Sequence, residues 1–244
     1  MNSEKKTARV TGILYLIIFF ANIYVFFGVT GSLVVPGDAT ATANNIIASE
    51  SMYRSGIASY LLVFLSEIGV AILLYKLVKP VNATLSLMAM ATRLMQAAVH
   101  AVNLVNFVIP LLLLSGAESL NVFEPAQLQA LAQFFLDTHY YGVLISEAFF
   151  SASLLLLGYL VYKSELFPGI LGVGLAIAGL FYILDSFGIF LMPQHQEFIA
   201  QIIVAPAVIA EMSFILYLLV KGVRTPKQGQ SAPMKTTTVE GMAV

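Results

Sequence analysis

Six long apolar stretches alternate with short polar ones along the chain, at 10–29, 55–78, 86–114, 139–162, 169–192 and 199–221. A helix needs about 20 residues to cross the hydrocarbon core of a bilayer, and each stretch is long enough. The pattern predicts an all-α polytopic membrane protein: a compact bundle of six transmembrane helices within residues 1–224. The third stretch exceeds what a crossing needs and contains Pro110, so it should tilt or bend there. In the sixth, Pro206 leaves the Ile202 carbonyl without its helical partner and predicts a kink. The links at 79–85 and 163–168 are short and join antiparallel neighbours.

The loops between the other spans carry their own signals. Pro36-Gly37-Asp38 reads as a turn, with Asp38 or Thr40 capping a short helix that runs to Ser49. Pro125 suits the first position of a helix. Leu128, Leu131, Phe134 and Phe135 give that helix an apolar stripe at helical spacing. It either lies on the membrane surface or runs straight into the fourth span. From Thr225 to residue 244 the chain turns polar, rich in Pro, Gly, Ser and Thr, and reads as a disordered tail.

Composition narrows the class. Hydrophobic residues make up 59% of the 244 residues and charged ones only 10%, against about 25% charged in a soluble domain. Net charge is −1, so no nucleic-acid footprint exists. The chain has no cysteine, which excludes disulfides, thiolate metal sites and Cys nucleophiles. Lys5, Lys6 and Arg9 precede a first apolar run too long for a signal-peptide core, so that run is expected to stay as a signal anchor. With the N-terminus inside, Lys5, Lys6, Arg9, Lys76, Lys79, Lys163, Lys221, Arg224, Lys227 and Lys235 all fall on the cytoplasmic side, and only Arg54 falls outside. This positive-inside bias predicts that both termini are cytoplasmic.

The twelfth basic residue lies in the membrane. Arg93, Gln96, His100 and Asn103 fall within an arc of about 80° on the third span. Other spans carry Glu67, Glu147, Asp185 and Glu211. Each buried charge costs about 2.5–3.5 kcal/mol on insertion scales, so these groups should converge on a polar core. Arg93, Glu67 and Glu211 share a depth, and the sharpest expectation is that Arg93 pairs with Glu67 or Glu211. Glu147, Asp185 and His100 lie towards the outer half, where a cavity would bring water to them. Imidazole titrates near neutral pH, so His100 is either a proton-transfer group or a hydrogen-bonded interior residue. His100, His139, Asp185 and Glu147 offer metal-ligand chemistry, but no two histidines stand at i,i+3 or i,i+4. We expect no metal and no cofactor. Ser146 and Ser186 lack a G-x-S-x-G setting, which leaves little basis for hydrolase chemistry, and the chain reads more as a non-enzyme.

Two weaker patterns complete the picture. Ser66-Glu67 leads to Tyr75-Lys76, Ser146-Glu147 to Tyr162-Lys163, and Glu211 to Tyr217 and Lys221. Three helical hairpins would give this pattern, and so would ordinary interfacial anchoring by Tyr and Lys. Gly169, Gly172, Gly174, Ala176, Ala178 and Gly179 let the fifth span approach a neighbour closely, either inside the bundle or at a dimer face. Two functional classes stay open. One is small-solute or proton-coupled transport, or ligand binding, with a small molecule or proton as ligand. The other is a non-catalytic scaffold or regulatory subunit whose buried charges serve helix packing. A lipid bilayer is the partner both require; oligomeric state is left open.

Several blocks also look familiar: Ala8-Arg9-Val10-Thr11-Gly12-Ile13-Leu14-Tyr15, Val35-Pro36-Gly37-Asp38-Ala39, and Leu74-Tyr75-Lys76-Leu77-Val78-Lys79-Pro80-Val81-Asn82. Others are Arg93-Leu94-Met95-Gln96-Ala97, Leu157-Gly158-Tyr159-Leu160-Val161-Tyr162-Lys163-Ser164, Phe167-Pro168-Gly169-Ile170-Leu171-Gly172, and Pro206-Ala207 followed by Glu211. Together they resemble a bacterial membrane family known as domain of unknown function 4386, over nearly the whole chain except the tail. The resemblance implies a multi-pass protein of the bacterial cytoplasmic (inner) membrane. It implies no activity.

Overall fold

The computed structural model describes residues 3–224; the tail from Thr225 onward lies outside the described residues. The first span, Ser3–Leu33, begins as α1 (Ser3–Ile23), widens into a π-helical segment (Tyr24–Thr30) and closes with the short α2 (Gly31–Leu33). Then come α3 (Ala39–Ala48), α4 (Glu50–Val78), α5 (Ala83–Leu113), α6 (Pro125–Lys163), α7 (Gly169–Leu191) and α8 (Gln196–Val220). Among the described residues, six helices are long and apolar enough to cross a membrane. The chain is a multi-pass, all-helical membrane protein.

The local signals explain the element boundaries. The Asp38 side chain accepts from the Ala41 N–H and caps α3. Asn82 caps α5 in the same way through the Leu85 N–H. Pro125 opens α6, where Glu124 and Gln127 form a reciprocal capping box, satisfying donors that a helix start leaves orphaned. The amphipathic stretch after Pro125 runs straight into the fourth span as one 39-residue helix. Helices α5 and α8 continue through Pro110 and Pro206.

The spans pack in sequence order around a ring. Helix α4 packs on α1, α5 on α4, α6 on α5, α7 on α6 and α8 on α7; α1 against α8 closes the ring, and that seam is the slightest of the six contacts. Lys5 lies beside Gly222, so the start of the first span and the end of the last share one end of the bundle. Helices α6 and α7 approach most closely: a Cβ on Gly158 would meet the Gly172 carbonyl oxygen at 2.7 Å. The small residues of the fifth span thus serve packing inside the bundle.

The α1–α8 seam is not uniform along its length. Near the termini it is tight. A Cβ on Gly12 would strike Leu219 at 2.8 Å, and Tyr15 meets Phe214 edge-on with centroids 6.3 Å apart. Farther along, the π-helical segment leans onto α4 instead. Gly56 leaves room for Val29, and the Tyr24 hydroxyl is 2.6 Å from Ser55 Oγ. The two sides of the ring closure therefore separate in the half of the bundle away from the termini.

Candidate functional site

The ring encloses a cavity of about 360 Å³ to which all six spans contribute. Arg93 comes from the inward face of α5, where Gln96, His100 and Asn103 are also buried. Its guanidinium is 2% exposed and fully engaged on one side. Nε donates to Glu67 Oε2 at 2.6 Å, and Nη1 donates to the Tyr15 hydroxyl at 2.9 Å. The rings of Tyr15 and Phe150 flank the guanidinium carbon at 4.8 and 5.1 Å, which adds cation–π attraction on both sides. Of the two acids that depth allowed, Glu67 is the partner.

Glu211 is held differently. It accepts a hydrogen bond from the Tyr182 hydroxyl at 2.8 Å and is not ion-paired among the described residues. Glu147 faces the same cavity with a buried Oε2 that has no hydrogen-bond partner among the described residues. Gln96 Oε1 and His100 Nε2 also lack partners, and these two residues are only 9% and 7% exposed. Leaving such an atom buried and unsatisfied costs about 1–3 kcal/mol. Among the described residues, three such unmet polar atoms belong to residues that line this one cavity.

Asn103, His139 and Asp185 lie outside the cavity. Asn103 turns to the α5–α6 contact, donating through Nδ2 to the His139 carbonyl at 2.8 Å, with His139 Nδ1 at 3.1 Å. It also accepts from Asn106 at 2.9 Å. Gly142 is what admits it, since any Cβ there would collide with the Asn103 amide. Asp185 is half-buried on α7 and does not line the cavity, so the expectation that it joins His100 and Glu147 there is corrected. Tyr182, one turn earlier on the same helix, is the α7 residue that lines the cavity. Ser146 lines the cavity, but its hydroxyl donates to the Val143 carbonyl of its own helix. Among the described residues, no three His, Asp or Glu side chains converge to hold a metal ion.

Sequence reasoning passed over the tyrosines. Tyr15 and Tyr182 bind the polar core, and Tyr60 lies beside His100 and His139 with ring centroids 5.2 and 5.5 Å away. Their position in the middle of spans was the available signal, because tyrosine in membrane proteins concentrates at the interfaces. The π-helical segment, whose Phe26 and Phe27 line the cavity, has no counterpart in hydrophobic periodicity.

No curated protein and no solved structure matches the chain. A family model does match, over residues 10–222, a span that reaches into all six membrane helices and takes in every residue of the polar core. The chain belongs to the family described as domain of unknown function (DUF4386).

Proposed function

We propose that the protein binds a small solute within the membrane and serves its transport or its sensing, with Glu147 and Glu211 handling charge or protons. The observation that carries this reading is the set of unmet atoms on Gln96, His100 and Glu147 around one cavity. The volume falls in the range of about 300–1,000 Å³ common for small-molecule sites. A scaffold whose charges served packing alone would pair them, as Arg93 and Glu67 are paired. The reading includes orientation and location: a bacterial cytoplasmic membrane with both termini in the cytoplasm, supported by the bias of Lys and Arg towards the terminal end.

The test is a ligand screen on the purified full chain, read by thermal shift and native mass spectrometry. We expect at least one solute to stabilise the wild type and to lose its effect in Glu147→Gln and His100→Leu. A screen in which every stabilising solute acts equally on the variants overturns the site. Single cysteines at Asp38 and Pro80, in a chain with none of its own, check orientation: residue 38 should label from outside and residue 80 from the cytoplasm.

A further inference from the structure

The walls of the cavity have a chemical bias. Among its charged and titratable lining groups are one guanidinium, Arg93, and three carboxylates, Glu67, Glu147 and Glu211; the others are Tyr15, Tyr60, His100 and Tyr182. Arg93 is spoken for by Glu67. Two carboxylates therefore face the space without a counter-ion among the described residues, and the one permanently charged cation there is already paired. The rest of the wall is largely aromatic and aliphatic, including Phe19, Phe26, Phe27 and Phe150. Carboxylates set among aromatic faces recognise organic cations, through charge and through the ring quadrupoles. A proton neutralises a carboxylate but leaves the volume empty. A metal ion would want converging ligands, which the described residues do not supply.

The opening has its own bias. Where α1 and α8 separate, the rim is formed by Phe26 and Phe27 on one side and Val204 and Val208 on the other. Phe26, Phe27 and Val204 are 63%, 65% and 58% exposed. These residues lie within stretches long and apolar enough to cross a membrane, which suits a rim that faces lipid.

Resting on the reading of this cavity as a solute site, we propose that its ligand is a lipophilic organic cation. It comes sideways out of the bilayer through the seam between the first and last spans. Its charged centre settles near Glu147 and Glu211, with its apolar body against the aromatic wall and the rim.

Tetraphenylphosphonium and tetraphenylborate test this directly, being nearly identical in shape and opposite in charge. Binding is measured to the full chain in lipid nanodiscs, with empty nanodiscs subtracted for partition into lipid. Saturable binding of the phosphonium, with none of the borate, is expected. The compact cation tetramethylammonium should bind more weakly. Glu147→Gln combined with Glu211→Gln should weaken phosphonium binding about tenfold or more. Equal binding of the two ions to the wild type overturns the proposal without reference to any variant. So does phosphonium binding indifferent to the double change. If the solute screen finds a polar or anionic ligand sensitive to Glu147→Gln while the phosphonium fails, this inference falls and the solute site stands; if both fail, both fall. The route is read with Phe26→Trp, the sole indole in a chain without tryptophan. Brominated lipids should quench it, and saturating phosphonium should relieve the quenching. Quenching unchanged on saturation overturns the lateral route.

Discussion

Glu67 on α4 and Glu147 on α6 look onto the same cavity from either side of α5, yet their surroundings differ in kind. Glu67 lies against a guanidinium that a tyrosine hydroxyl and two aromatic rings also hold. Glu147 has a buried oxygen with nothing to accept from. Both residues follow a serine on an apolar helix, so local sequence does not distinguish them. The difference lies in what the facing helix offers at that depth. One side of the polar core is closed upon itself and contributes to holding the helices together. The other is left incomplete, and an incomplete buried site is held in that condition by the packing around it.

That contrast is easiest to break at Arg93. Arg93→Ala strands Glu67 in the interior and should cost about 3–5 kcal/mol. Adding Glu67→Ala should recover a large part of the loss, whereas adding Glu211→Ala should recover little. The cycle is followed by thermal unfolding in a single detergent, and equal coupling to both acids would erase the distinction between them. Next in size is Asn103, also on the satisfied side. Asn103→Leu removes the amide that joins α5 to α6 and should cost about 1–3 kcal/mol. A neutral result in the same unfolding assay would mean that the contact adds nothing to the α5–α6 packing.

How much of this was legible beforehand depends on the kind of signal each residue leaves. The spans were plain, because bilayer thickness forces a length of apolar sequence that nothing else requires. The inward face of the third span was plain too, since helical period alone aligns Arg93, Gln96, His100 and Asn103. Periodicity could not say which acid meets Arg93. That choice rests on the order of helices around the ring, in which α4 is the immediate neighbour of α5 and α8 is not. Asp185 misled for a different reason: an acid on an apolar helix signals burial, but not whether a cavity reaches its turn. The π-helical segment left no trace in composition, being set by packing against α4.

The smaller predictions sharpen the unsatisfied side. Tyr182→Phe deletes the one side-chain hydrogen bond to Glu211 among the described residues and should lower stability by about 1 kcal/mol. A loss as large as that of Arg93→Ala would make Glu211 a structural partner after all. Smallest of all is Glu147→Gln, expected to change stability by no more than about 0.5 kcal/mol in either direction, since there is no counter-ion to lose. A clear destabilisation in the unfolding assay would place Glu147 with Glu67 rather than opposite it.

The unbroken length of α6 also works as a ruler laid across the membrane. Tyr141 and Tyr162 are exposed on this one helix, 21 residues apart, or about 32 Å at helical rise. Hydrocarbon is about 30 Å thick, and tyrosines favour its two borders, so the spacing of the pair matches the distance between its edges. On that scale the helix from Pro125 to Tyr140 stands in headgroups and water, a shaft of about four turns. Glu147 then lies about 9 Å below the far edge, within the depth that a flexible headgroup or a shallowly dissolved amphiphile reaches without crossing the membrane.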